Sequence, residues 1–394
     1  MKIALVCPAS LPATQFGGIL FLCVDIAKEL SCKNHQVTIY TTDLDFANNP
    51  NTFNKKLPKK EKISNFFISR SHVWFSYGLF FINPKMYFQM KHDEFDLIHS
   101  IGVRSFQSLI ATLISKKKNI PLIISDQGGL TTHPDLEKNS FLKKLMYKFQ
   151  IPIIKFIVNQ ATKIIVANEY EKNIFLNFTD LQKIEIVRNG VNLENIKQQK
   201  IDFRKKYNVN YPFFLFLGRF HKIKGIDILV KAIDLIKNES EMSHFKLIIM
   251  GADFGFESEM SDMIKQFGIE SKINIIKNPP REDVISAYQD SEFLVLPSRW
   301  ELSPLTPLEG FVFKKPVIST NVHGIPFTIN DDKNSILVES ENPKMLGNAI
   351  LNLIKNENKR HELGLSGYEL VRDECNSKKM AEKTLDIYEK IFNR

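Results

Sequence analysis

Cysteine is scarce, with four in 394 residues (Cys7, Cys23, Cys32, Cys375) and no CxxC spacing among them. That excludes a disulfide framework and a cysteine-based zinc site, and three of the four sit in apolar-patterned stretches that read as core, so buried thiols are expected. Long apolar runs are missing too. None approaches the ~18 residues that a membrane-spanning helix needs. KIALVC (2–7) is too short before Pro8 to serve as a signal-peptide core, so the cytoplasm is the expected location. No GxxxxGK(S/T) string, internal repeat or low-complexity tract occurs, which removes P-loop and repeat architectures.

What is present is an ordinary globular composition, 43% hydrophobic and 25% charged, in a chain long enough for two domains. The formal charge is +9 and it is unevenly placed. Residues 1–200 hold 26 basic against 16 acidic side chains, a surplus of +10, whereas 201–394 hold 27 against 28, a balance of −1. A one-sided surplus favours an anionic partner, which could be nucleic acid, an anionic membrane or a phosphorylated substrate. Nucleic acid is the least supported of these, because no recognised module accompanies the charge.

Short apolar runs bounded by turn residues predict strands at 2–7, 36–41, 97–101, 121–126, 163–168 and 184–189, with helical periodicity between several of them, as at 19–31, 103–115 and 139–159. After a polar stretch at 192–210 the pattern restarts, with strands at 213–218, 246–251, 273–277, 293–298 and 316–320. Such alternation means βαβ units and parallel sheets. The chain is therefore divided into 1–200, 201–375 and a terminal helix, 376–394, that no strand follows and that can pack back on the first domain.

One segment, 53–88, places five lysines within residues 55–62 and then a dense set of aromatics. Residues 55–90 read as a face for an anionic membrane, with Trp74, Phe75, Tyr77, Phe80 and Phe81 dipping toward the acyl boundary. The plainer reading is a solvated lysine loop followed by core aromatics.

In doubly wound sheets, chemistry gathers in the loops beyond the carboxyl ends of the strands. The first such loop leads to Gly17-Gly18 at a helix start, suited to close backbone approach and to an anion. It is not GxGxxG, which weakens a nicotinamide or flavin oxidoreductase reading. The first strand of the second half ends in GRFHKIKG (218–225), where Arg219 and Lys224 stand beside a helix start and suit a diphosphate. SRWELSPLTPLEG (298–310) carries two carboxylates, Glu301 in a loop held open by Pro304 and Pro307, and Glu309 on a helix predicted to begin near Thr306. Thr306-Pro307-Leu308-Glu309 also has the form of a capping box, so Glu309 has a structural reading beside a ribose-binding one.

Together, the Glu-x7-Glu stretch followed by KKPVIST and Gly324, GRF with Lys224-Gly225, NGV at 189–191 and Gly17-Gly18 resemble glycosyltransferase family 4 over essentially the whole chain. The resemblance implies a GT-B architecture, two doubly wound Rossmann-like α/β domains facing a central cleft. The implied activity is retaining, metal-independent hexosyl transfer from a nucleotide sugar, by family habit a UDP-sugar. The acceptor would be a glycan or lipid-linked molecule in cell-surface polysaccharide or glycolipid synthesis, at the cytoplasmic face of a membrane. No cofactor is implied, since Arg219 and Lys224 would neutralise the leaving diphosphate in place of a metal. Carried over by position, Glu309 is the ribose carboxylate and Glu301 the carboxylate near the donor sugar. Gly17 and Gly18 form the glycine loop, Lys277 and Asn278 meet the base, and Ser303, Leu305 and Thr306 face phosphate. Asp43-Leu44-Asp45 matches a DxD string but follows a strand of the first domain and reads as loop chemistry.

The chain also departs from the family. Where many members carry His-Gly after the strand matching PLIISD, this one has Asp126 and Gln127, with His133 six residues on. Gln127 cannot titrate, so an acid–base role there must move or disappear, and these three are carried as candidate catalytic residues with Glu301. Leu302-Ser303 replaces a common Gly-Phe, and Phe327 stands where an acidic residue is frequent. These departures keep one alternative in view, a catalytically inactive GT-B protein that binds glycan or lipid.

Overall fold

The order in which the strands lie side by side explains where a ligand can sit. In the computed structural model, which describes residues 1–45, 52–128, 130, 141–194 and 201–392, the chain divides into two units, Met1–Asn189 with Ser377–Arg394, and Gly190–Asn376.

The first unit holds an eight-stranded sheet ordered β10-β9-β8-β7-β1-β2-β4-β3. Its strands are β1 (Lys2–Val6), β2 (Gln36–Thr42), β3 (Lys60–Ile63), β4 (Phe66–Ser71), β7 (Leu97–Ile101), β8 (Leu122–Ser125), β9 (Lys163–Val166) and β10 (Ile184–Ile186). All pairings are parallel except β3 with β4. β5 (Phe75–Tyr77) and β6 (Phe80–Ile82) form a separate antiparallel hairpin. The second unit holds a wholly parallel six-stranded sheet, β13-β12-β11-β14-β15-β16. Its strands are β11 (Phe213–Leu217), β12 (Lys246–Gly251), β13 (Ile273–Lys277), β14 (Leu294–Leu296), β15 (Val317–Thr320) and β16 (Ser335–Val338).

Strands such as FFLFL and VIST are buried nearly throughout, because parallel strands are covered by helices on both faces. The predicted strands all form, seven of the eleven one to three residues shorter than the apolar runs. β3 to β6 and β16 escape the sequence reading, being three to six residues long and, in β3, alternating Lys with Glu. Cys7, Cys23 and Cys375 are buried free thiols, and Cys32 is exposed.

The terminal helix Ser377–Phe392 packs on the helix Gly18–Cys32 of the first unit, where the Ser377 hydroxyl donates to Glu29 (2.7 Å). Its Tyr388 meets His99 of β7, a fully buried imidazole whose Nδ1 lies 2.6 Å from the Tyr388 hydroxyl and whose Nε2 lies 2.7 Å from Ser125 Oγ.

Not all aromatics of 53–88 face solvent. Trp74, Phe75 and Tyr77 are 63%, 60% and 54% exposed, whereas Phe81 is buried against the rings of Phe16 and Phe53, and Phe80 leans edge-on against Phe106. The expected membrane face therefore loses Phe81 to the core. No helix among the described residues is long and apolar enough to cross a membrane.

Burial pulls His99 down to about 3, far below the ordinary imidazole range. The folded state keeps it neutral while the unfolded chain takes a proton near pH ~6.5, so its contribution is intact above that pH and shrinks as pH falls toward 3. Between pH 7 and pH 5 the urea-unfolding free energy of the His99→Gln variant should fall by about 2 kcal/mol less than that of the unmodified protein. An equal fall in both would refute the burial of a neutral imidazole.

Candidate functional site

In the second sheet the strand order reverses between β11 and β14, so the loops that follow these two strands leave in opposite directions and open a crevice at their carboxyl ends. Two devices hold the loops in register. Gly225 has φ +68°, and a Cβ there would stand 1.9 Å from the Pro297 carbonyl oxygen, so only glycine fits. Arg299, after β14, grips Asp227 of the helix Ile226–Ile236 with two nitrogens (2.6 and 2.8 Å), and its backbone N–H donates to Ile223 (2.8 Å). Fork-to-fork geometry of this kind fixes orientation as well as attraction.

Between these loops the two predicted charges meet: Lys224 Nζ donates to Glu301 Oε1, which also accepts from Ser298 Oγ (3.1 Å). Both contacts fall on Oε1. The loop behind is pinned by Gly324, whose N–H donates to the Glu301 carbonyl (3.0 Å). Arg219 has its guanidinium 5.1 Å from the Phe254 ring centroid, and among the described residues no carboxylate pairs with it. Burial pulls it below the ordinary guanidinium value, an effect that the nearby Glu301 charge opposes. It is thus a partly desolvated cation with no carboxylate on it among the described residues.

Glu309 sits on the helix Leu305–Val312, which begins one residue before Thr306. The capping box does not form: the residue ahead of the helix is Pro304, and no side chain caps it. Instead Glu309, almost wholly buried, accepts from both Arg281 terminal nitrogens, at 3.0 Å on Oε2, and from the Tyr288 hydroxyl on the same oxygen (2.8 Å). Burial, then the Glu309 charge, push Tyr288 well above the ordinary phenol range, and Thr306 makes a further side-chain hydrogen bond to it. Leu305 and Thr306 occupy the first helical turn, whose N–H groups have no partner within the helix. Ser303 precedes them, its hydroxyl 3.5 Å from that of Thr328.

Lys277 and Asn278 close β13. Lys277 is exposed and donates to Glu257 (2.9 Å), the hydrogen bond that raises it above the ordinary lysine value. Asn278 has φ +47°, and its N–H returns to the Gly251 carbonyl (2.8 Å). Phe327, the departure after GIP, is exposed.

In the first unit, Gly17 takes φ +106° and ψ −159° ahead of the helix that starts at Gly18, again with no side-chain cap. Asp126, after β8, is buried and accepts backbone N–H groups from Val103 (3.3 Å) and Leu130. It therefore ties its own loop to the loop after β7. Gln127, at φ +54°, exchanges amide hydrogen bonds with Asn189 (2.9 and 2.8 Å). Both ends of its side chain are used in holding Asn189 of the NGV motif. His133 lies outside the described residues. Asp43 of the DxD string is buried against His72 Nδ1 (2.6 Å) and the Val73 N–H (3.1 Å), in keeping with a loop role.

Three participants went unread in the sequence. Arg281 and Tyr288 lie seven apart, hence on one face of the helix Arg281–Asp290, a spacing that becomes meaningful once Glu309 is their target. Glu171 is buried and accepts from Gln127 N (3.2 Å) and Ala167 N (2.6 Å), bracing the loop after β8. Burial and the Asp126 charge push its carboxyl up to about 8 against the pull of those two hydrogen bonds. No motif marks it.

The profile described as Glycosyltransferase Family 4 matches residues 16–195, and that described as Glycosyl transferases group 1 matches 197–370. An uncharacterized glycosyltransferase of Methanocaldococcus jannaschii is 31% identical over 283 residues, 71% of each chain. The D-inositol 3-phosphate glycosyltransferase of Corynebacterium diphtheriae is 21% identical, over 94% of this chain and 90% of that one. Among solved structures, sucrose-phosphate synthase from Thermosynechococcus elongatus superposes with a TM-score of 0.78 at 20% identity, covering 100% and 99% of the two chains. Anabaena HepE, solved with UDP-glucose, gives 0.76 at 15% identity over 99% and 100%. At such identities the two structures speak for the fold. The profiles, one over each half, and the archaeal relative establish the rest: this chain belongs to glycosyltransferase family 4, built of two Rossmann-like domains of the GT-B type.

Proposed function

We propose that the protein transfers a hexose from a nucleotide sugar, a UDP-sugar foremost, to a glycan or lipid-linked acceptor, with retention of anomeric configuration and without a metal ion. One observation carries the reading: the half-buried Arg219, lacking a carboxylate partner among the described residues, stands after β11 beside the Lys224–Glu301 pair at the reversal of the sheet. A diphosphate supplies the anion this guanidinium lacks, and Lys224 adds a second cation one loop-turn away. The N–H groups of Leu305 and Thr306 at a helix start suit the same group. Glu301 has its protein contacts on Oε1, leaving Oε2 to accept from a hydroxyl of the donor sugar. Glu309 has one contact on Oε1 and two on Oε2, so it can accept from a ribose hydroxyl while Arg281 keeps its carboxylate in place.

A retaining front-face reaction asks for no strong enzymic nucleophile. The departing phosphate oxygen helps take the acceptor proton, and fixed cations stabilise the charge that gathers on the leaving diphosphate. The amide pairing of Gln127 with Asn189 leaves it without an acid–base part in this scheme.

Arg219→Ala should weaken nucleoside diphosphate binding by ~10–100-fold while changing affinity for the bare nucleoside less than about twofold, measured by calorimetry. Equal losses on both ligands would remove Arg219 from the diphosphate site. Glu309→Gln should weaken nucleotide binding ~10-fold and also lower the melting temperature by a few degrees, since Arg281 loses its counter-charge. A lower melting temperature with unchanged affinity would make Glu309 only an anchor for Arg281. Turnover should persist in excess EDTA, and the product anomer, read by NMR, should match the donor.

Association with an anionic membrane, peripheral on its inner face, rests on the hairpin of β5 and β6, where Trp74, Phe75, Tyr77 and Leu79 face solvent in one short ribbon. Trp74→Ser with Phe75→Ser should cut co-sedimentation with anionic vesicles severalfold at unchanged melting temperature. Undiminished co-sedimentation would end this part of the proposal.

A further inference from the structure

Lys55, Lys59 and Lys60, together with Lys85 from the helix Lys85–His92, line a cavity of about 730 Å³ on the outermost strands of the first sheet, β4 and β3. Its size lies within the ~300–1,000 Å³ typical of small-ligand sites. None of the candidate transferase residues lines it. Gly17 and Gly18 follow β1 and Asp126 follows β8, inward of β2 in the sheet, so this is a second place in the same unit.

Its charge is unbalanced in a specific way. Two aspartates also line the cavity and offset two of its four lysines; Asp43 bonds His72 and the Val73 N–H, and Asp93 accepts from the Tyr40 hydroxyl (2.6 Å). Arg70 on the floor is buried and satisfied by Glu61 (2.7 Å) and by the Pro58 and Leu11 carbonyls. Four lysines against two aspartates leave a surplus of two. Among the described residues none of the four lysines pairs with a carboxylate, and Lys60 has only the face of Phe67, 5.5 Å away. Cations converging on one concavity repel one another and gain from a shared polyanion.

The rest of the lining is what a sugar asks for. The Ser71 hydroxyl accepts from Asn83 (2.8 Å) and His72 Nδ1 lies on Asp43, leaving His72 Nε2 as a polar atom of the lining, while Gln89 gives its amide nitrogen to the Arg70 carbonyl (2.9 Å) and its Oε1 has no hydrogen-bond partner among the described residues. Phe88, 59% exposed and edge-on with Tyr87 (5.7 Å), adds an aromatic ring to the lining. Ring for sugar face, polar atoms for hydroxyls and lysines for acidic groups form one consistent set. Trp74, Phe75 and Tyr77 are absent from the lining, which separates it from the hairpin.

We infer that this cavity binds an anionic saccharide, carrying carboxylate or phosphate groups, and so grips a stretch of acceptor away from its reacting end. The acceptor role rests on the transferase reading; the binding itself does not. Calorimetry on the full chain without any donor tests it, with tetragalacturonate, a phosphorylated mannose oligosaccharide and neutral maltotetraose as probes. At least one anionic probe should bind with a dissociation constant below ~1 mM, at least ~10-fold tighter than maltotetraose. Lys59→Gln with Lys85→Gln should weaken it ~10-fold and Phe88→Ser severalfold, while Trp74→Ser with Phe75→Ser leaves it unchanged.

The inference is overturned if neither anionic probe binds, if maltotetraose binds equally well, or if the lysine variant is unaffected. It is also overturned if that variant loses anionic vesicles but keeps the saccharide, which would make the lysines a lipid surface. Nucleoside diphosphate binding, measured on the same samples, separates the two proposals. Its retention with no saccharide binding sinks this inference alone, whereas saccharide binding without any nucleotide binding sinks the transferase reading and leaves the site.

Discussion

Everything in the second unit depends on one topological constraint. Parallel strands joined by helices run with their carboxyl ends at one edge, and the connections out of β11 and β14 part company because their next strands lie on opposite sides. Backbone polar groups and loop side chains at that parting have no neighbouring strand to pair with. The unit answers by bolting the two loops together from below, through Arg299 on Asp227 and the tight pass of Gly225 under Pro297, and by leaving charged groups above. Lys224 and Glu301 pair there, while Arg219 has the Phe254 face and the nearby Glu301 charge but no carboxylate bonded to it among the described residues. Partial desolvation of a guanidinium with no carboxylate on it costs free energy in the folded molecule.

Much of this was legible from residues alone, for physical reasons that also mark the limit. A strand buried on both faces is an unbroken apolar run, which is why FFLFL, KLIIMG and LIHSI stand out. β3, an edge strand written Lys-Glu-Lys-Ile, has no such signature, because its outer face meets water and its charges protect the edge. The loops after β11 and β14 were found because prolines and glycines punctuate them. Which atoms Glu309 would touch was not readable: the same four residues satisfy the rule for a capping box, and the choice was made by Arg281 and Tyr288, more than twenty residues upstream. Gln127 is a similar case. Its failure to titrate was evident, but its engagement with Asn189 required two distant loops to be brought together.

Charge supplied the other lesson. A surplus of +10 over half a chain names a class of partner without naming a place. Folding sorts it: some cations are consumed internally, such as Arg70 with Glu61 and Lys163 with Glu185, and others gather where they outnumber the acids. The informative quantity is the charge left over after pairing at a given place, such as Arg219 at the reversal of the second sheet and the lysine surplus at the margin of the first.

The path of the chain has a consequence of its own. The second unit begins at Gly190 and ends at Asn376, and its two ends lie side by side, with the Val191 N–H donating to the Cys375 carbonyl at 3.0 Å and Gly190 so close to Asn376 that a Cβ would stand 2.2 Å from its carbonyl oxygen. In genetic terms that unit is an insert with joined ends, a cassette placed between Asn189 and Ser377 of a host whose own last helix is written after it. A cassette of this kind can be exchanged without re-threading its host, so the half that carries Arg219 and Glu309 and the half that carries the lysine-lined cavity are free to diverge as separate modules.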